Sequence, residues 1–115
     1  MIVLELPYPP SVNSYYRHVG SKTLISREGR LFRAKVVSIL AIEEIKQMEG
    51  PIQVAICLRT PDRRRRDVDN VLKSLLDALQ HGGAYEDDSQ IQRLSIWKGD
   101  PKPPNGCALV EIERL

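Results

Sequence analysis

The chain has 115 residues, one domain's worth, and its 42% hydrophobic content suffices for a core without disulfide or metal staples. Charged residues make up 28% but the net charge is only +2, so a polyanion-binding surface must be a local patch. No apolar run approaches the roughly 20 residues that span a bilayer, and Met1-Ile2-Val3-Leu4-Glu5 lacks the basic start of a signal peptide, so a cytoplasmic protein without membrane contact is expected.

Ile2, Leu4 and Leu6 share one face of a short strand that stops at Pro7. From Pro7 to Asn13 three prolines predict an extended, turn-rich connection. A brief strand is expected around Lys22 to Ile25, and Ser26 ahead of Glu28 and Gly29 marks the approach to a helix, capped by Ser26 or a neighbour. That helix is expected from about Leu31 to Met48. Phe32, Val36, Ile39, Leu40 and Met48 form its apolar stripe, Arg33, Lys35, Glu43, Glu44 and Gln47 its wet side, and Gly50-Pro51 its end. Ile52, Val54, Ile56 and Leu58 then alternate with Gln53, Ala55, Cys57 and Arg59, a strand with one buried face.

After a charged loop, Thr60 to Arg66, a second helix is expected from near Val68 to Gln80, closed by Gly82-Gly83. A polar loop from Ala84 to Gln90 leads to a strand at Ile91 to Lys98, a turn over Asp100 to Gly106 and a last strand from Cys107 to about Glu113. Cys57 and Cys107 are too few and too far apart for a zinc site or disulfide framework, and their apolar surroundings predict reduced, buried side chains. The order of elements predicts an α+β fold in one domain, residues 1–115, with a mixed sheet of about four to five strands and two main helices packed on it.

Chemistry concentrates in Pro61-Asp62-Arg63-Arg64-Arg65-Arg66-Asp67-Val68-Asp69-Asn70-Val71-Leu72-Lys73. On a helical wheel Val68, Leu72, Leu75, Leu76 and Leu79 gather on one side, while Asp69, Asn70, Lys73, Ser74 and Asp77 take the other. Hydrolysing a phosphodiester calls for charge on the transferring phosphoryl group and for hydroxide near neutral pH. A divalent magnesium held by hard aspartate oxygens provides both. Asp67 and Asp69, with Lys73 four residues on to meet phosphate, form part of such a set, and Glu86-Asp87-Asp88 is the obvious source of a third ligand. A competing reading makes the aspartates helix caps and Lys73 a solvated partner of Asp69. The run Arg63 to Arg66 is likewise either a phosphate grip or a solvated loop, although four adjacent cations repel one another and are hard to explain as structure.

At these residues the sequence resembles the RusA family of Holliday junction resolvases. The block Pro61 to Asn70 is similar to the family's P-D-R-R-R-R-D-x-D-N, and Pro9-Pro10-Ser11-Val12-Asn13-Ser14-Tyr15-Tyr16-Arg17-His18 to its P-P-S-x-N-x-Y-Y-R-H. Asp87-Asp88 follows at the matching distance, and the resemblance runs over almost the whole chain. It implies a RusA-like fold and Mg2+-dependent resolution of four-way DNA junctions in recombination and repair, by paired symmetric nicks. It also implies a homodimer, with Mn2+ able to replace Mg2+ and no organic cofactor. Carried over, the metal-binding and catalytic aspartates are Asp67, Asp69 and Asp88, and the functional lysine is Lys73. Asp87 and Asn70 stand behind them as candidates for holding the ligands in place. Ala84-Tyr85-Glu86 departs from the more apolar character expected before the acidic pair.

Arg63, Arg64, Arg65, Arg66 and Arg17 are the expected DNA contacts, with Lys22 and Arg27 as further cations. Tyr16 and His18, with Tyr15, are placed to stack on or support DNA, although loop packing explains Tyr15 equally well. His81 suits the negative end of a helix, and Trp97 within a strand suits core or interface. Two rivals stay open: a non-catalytic branched-DNA-binding module, and a magnesium nuclease for flaps or other branched DNA.

Overall fold

A computed structural model describes all 115 residues. The alternation in β4 (Ile52–Arg59) makes it the central strand, with Ile52, Val54, Ile56 and Leu58 each no more than 2% exposed. It pairs antiparallel with β6 (Cys107–Arg114) and parallel with β5 (Ile91–Lys98), while β6 pairs antiparallel with β1 (Ile2–Pro7). The resulting mixed sheet has the order β1-β6-β4-β5. A separate hairpin joins β2 (Tyr16–Val19) to β3 (Lys22–Ile25). The α+β expectation holds.

One sheet face is covered by α2 (Arg27–Ile42), which buries Phe32, Val36 and Leu40, and by α3 (Leu72–His81), which buries Leu75, Ala78 and Leu79. The other face is open: Val3, Glu5, Leu109 and Trp97 are exposed along it, so Trp97 is not a core residue. Cys107 is buried and Cys57 half-buried, both as free thiols. No helix is long and apolar enough to cross a membrane.

Parallel strands need a crossover of a dozen or more residues. Between β4 and β5 that crossover is the segment 60–90, which contains the arginine run, α3 and the acidic pair. Every proposed metal ligand therefore rides on one connection. Its helix begins later than expected: a short 3-10 turn, Asp69–Val71, precedes α3.

Three further expectations are corrected. Helix α2 starts at Arg27, its first turn capped by Ser26 Oγ, which accepts from Gly29 N at 2.9 Å. Position 29 has no room for a side chain, since a Cβ there would lie 2.5 Å from the Tyr15 carbonyl oxygen. The helix also ends at Ile42 rather than near Met48. Glu44 turns the chain in the left-handed region (φ 54°), and Ile45 N donates back to Leu40 O at 3.0 Å. Glu43 is thus the C-cap, Glu44 and Gln47 lie beyond the helix, and Met48 bridges to Tyr85. Finally, Val12–Tyr15 forms a helical turn, α1, capped by Ser11, where extended chain was expected from its start.

Candidate functional site

The arginine run is not uniform. Asp62 accepts from Arg64 Nε and from Arg66 NH2, each at 3.0 Å, and from the Arg64 backbone at 2.9 Å. These bonds, Arg66's first, hold the Asp62 carboxyl down at about 2. Arg66 also lies over the Tyr8 ring, 5.7 Å from its centroid, and its carbonyl accepts from Lys98 Nζ at 2.9 Å. Arg64 and Arg66 therefore shape the loop. Arg63 and Arg65 are exposed and have no ion pair within the chain. These two remain available for phosphate.

Asp67 and Asp69 do not cap the helix. The N-cap of the 3-10 turn is Val68 and that of α3 is Val71, and neither makes a side-chain capping bond. Both aspartates are exposed and free of ion pairs, Lys73 included, despite the nearby cations. The capping explanation for this D-x-D therefore fails, and so does the helix-face pairing of Asp69 with Lys73.

Asp87 has the structural role in the acidic pair. It caps the 3-10 turn Asp88–Gln90 by accepting from Ser89 N at 3.0 Å, with Gln90 completing a capping box, and the hydrogen bonds from Ser89 lower its pKa. Asp88, next along, is exposed and in no ion pair. The buried Tyr85 donates its hydroxyl to Leu76 O at 2.8 Å, and burial together with the nearby Asp88 charge pushes its phenol pKa up. Asp88 therefore sits beside the middle of α3. Leu76 is seven residues beyond Asp69, which is about 10 Å along a helix. A shared ion needs its oxygens at about 2.0–2.6 Å. Accordingly, nowhere in the single chain are three or more His, Cys, Asp or Glu side chains placed to hold one metal. The donors suit magnesium in kind, being exposed hard carboxylates, but one chain alone does not gather them.

Asp67 instead lines a groove of about 770 Å³ with Asn70, Arg65 and Arg66 on one wall and the strap Pro7 to Ser11 on the other. The strap is fixed from beneath by Ser74, whose hydroxyl shares its one proton between Pro10 O at 2.7 Å and Val71 O at 3.0 Å. The wheel placed Ser74 on the wet face, yet it is fully buried. Asp77 also turns inward, accepting from the Tyr15 hydroxyl and, at 2.6 Å, from Arg33 NH2. Tyr15 is thus a packing residue at 0% exposure. Arg33, expected to be solvated, is an ion-pair partner whose Nε is buried without a partner.

Arg17, His18, Lys22 and Arg27 are exposed on or just after the hairpin, and Tyr16 is half-buried with its ring edge-to-face on Tyr15 at 4.9 Å. His81 closes α3 as its only last-turn base. Pro7–Ser11, Lys98 and Ser74 are the parts of the site that residue chemistry alone did not find. A serine on the polar side of a helical wheel and three prolines carry no chemical flag until the fold brings them together.

Known proteins align with these features. The family model described as "Endodeoxyribonuclease RusA" matches residues 7–113. A protein of Enterobacteria phage HK97 called crossover junction endodeoxyribonuclease rusA is 40% identical over 113 residues, 96% of this chain and 92% of its own. Proteins of the same name from Shigella sonnei and Escherichia coli are 43% and 42% identical over 97 residues, 83% of this chain and 80% of theirs. The match contains both walls of the groove, the arginine run and the three aspartates without ion pairs, and the chain belongs to the RusA endodeoxyribonuclease family.

Proposed function

We propose that this protein is a structure-selective endodeoxyribonuclease that resolves four-way DNA junctions by paired nicks, with Mg2+ held by Asp67, Asp69 and Asp88. One observation carries the assignment within the family: these three carboxylates are exposed and neither cap a helix nor join an ion pair, although the arginine run immediately precedes two of them. Unpaired acids next to unpaired cations on a surface destined for DNA repel the substrate unless a cation intervenes.

When bound, the cation would supply charge against the transferring phosphoryl group and lower the pKa of a water that attacks it. The chain's own residues do the rest. Arg63 and Arg65 hold flanking phosphates and fix the register of the strand. Lys73, exposed one turn beyond Asp69, neutralises a non-bridging oxygen. Asp87 locks the turn that presents Asp88, and Asn70 lies beside Asp67 in the groove wall.

The separation of Asp88 from Asp67 and Asp69 along α3 favours a homodimer. Two copies about a two-fold axis supply two equivalent incision sites for the approximately two-fold junction. They also allow Asp88 of the partner subunit to complete an ion site begun by Asp67 and Asp69. Incubation of a synthetic four-way junction with the protein tests this reading, in Mg2+ and in EDTA, beside a flap of the same sequence. Symmetric nicks in the junction, only with Mg2+, are expected. Binding without nicks in either condition, or cutting confined to the flap, would overturn it.

A further inference from the structure

The groove beside Asp67 is larger and chemically more varied than a phosphate contact requires. Its volume, about 770 Å³, falls within the range of small-molecule sites. A phosphate needs donors and positive charge alone. Here the lining adds apolar surface from Pro10 and Leu31, a carboxylate from Glu28, and the amides of Asn70 and Asn105, which donate and accept. Leu31 is 53% exposed, an unusual place for a leucine on the polar side of a helix. Cations border the same groove: Lys35 on α2 and Arg65 on the loop, neither in an ion pair.

The walls are also held in advance of any ligand. Ser74 pins the Pro10 carbonyl, and Asp62 with Tyr8 pins Arg66. Apolar surface suits the face of a base, amides and a carboxylate suit its hydrogen-bonding edge, and rim cations suit the phosphates on either side.

We propose that this groove receives one unstacked nucleotide of the branched DNA, base inward between Leu31 and the Pro7–Ser11 strap, next to the bond that is cut. The proposal rests on the junction-nuclease reading and adds to it a subsite for a base. At a branch point a base has already lost part of its stacking, so extrusion costs least there. Selectivity for branched over linear DNA then arises in part from the groove rather than from the metal ligands.

Four-way junctions carrying 2-aminopurine singly at each position flanking the nick test this, titrated with the full-length protein in EDTA. One position is expected to brighten about threefold or more as it unstacks. Leu31→Gln, neutral and on an exposed site, is expected to abolish most of that signal and slow nicking in Mg2+ about tenfold. Junction affinity should change less than about threefold, since the phosphate contacts remain. Permanganate reactivity of thymine at the same position gives an independent readout with the same expected pattern. Tight junction binding and metal-dependent nicking with no brightening anywhere would overturn the base subsite and leave the nuclease reading standing. Equal brightening in Leu31→Gln, or ethylation interference at the groove without brightening, would also overturn it. Loss of junction binding altogether would remove both.

Discussion

Ser74→Ala removes the one side chain that ties the proline strap to α3. Its hydroxyl is fully buried and shares its one proton between Pro10 O at 2.7 Å and Val71 O at 3.0 Å. A net hydrogen bond contributes roughly 0.5–1.5 kcal/mol, and an orphaned buried carbonyl costs about 1–3 kcal/mol. Pro10 is only half-buried, so water can reach its oxygen and the lower part of that range applies. The expected loss is about 1–2 kcal/mol, a fall in Tm of about 4–8 °C for a chain of this size. Urea unfolding followed by far-ultraviolet circular dichroism measures it, with an unchanged m-value as the sign that the unfolded state is unaffected. Because Pro10 forms one wall of the groove beside Asp67, junction nicking is expected to fall as well, at a temperature where the variant is folded. A Tm shift below about 1 °C would refute the claim that this hydroxyl holds the strap.

Other outcomes follow from the uneven arginine run and the free acids. Arg63→Ala and Arg65→Ala are each expected to weaken junction binding and reduce the salt dependence of log K by about 1, measured by titrating binding against salt. Arg66→Ala breaks the Asp62 pair and the Tyr8 contact, so hydrogen exchange across residues 60–68 is expected to accelerate in that variant and not in Arg63→Ala. Lys73→Ala is expected to lower the single-turnover nicking rate about a hundredfold while junction affinity changes little, which a rate-against-binding comparison checks. Asp77 has its own pH signature. Burial pulls its pKa up, but hydrogen bonds from Tyr15 and Arg33 outweigh this and leave it below the usual 3.8. The unfolded chain therefore takes the proton first, so the stabilisation is whole above pH 3.8 and fades as pH falls through the folded value. The stability gap between wild type and Asp77→Asn, from denaturant melts, is expected to be wide at pH 6 and to close below about pH 4.

Much of the fold was legible because single strands state their burial directly. Ile52 to Leu58 alternate, and so do Ile2, Leu4 and Leu6, and both strands lie where that period puts them. Helix ends were less legible. Residues 43–48 are mostly good helix formers with no glycine until Gly50, and only the left-handed turn at Glu44 reveals the stop. Ser74 and Asp77 show the same limit on a helix face, because a 100° wheel assumes that polar means wet. Ser74 instead meets Pro10 of the strap, and Asp77 meets Tyr15 of α1 and Arg33 of α2, all distant in sequence. Strand order was not readable at all, since the parallel pairing of β4 with β5 depends on where the crossover returns. That pairing decides the geometry of the site, because it sets Asp88 some way along α3 from Asp67 and Asp69. Residue chemistry picked out the acids, but their distribution within one chain needed the topology.

Anomalous diffraction from Mn2+ in crystals of the protein with a non-cleavable four-way junction locates the ion directly. The expected result is one site per active centre with oxygens of Asp67, Asp69 and an Asp88, the last from the partner subunit, beside a DNA phosphate. Ions coordinated without any Asp88, or no ion near Asp67 and Asp69 while the junction is bound, would contradict it.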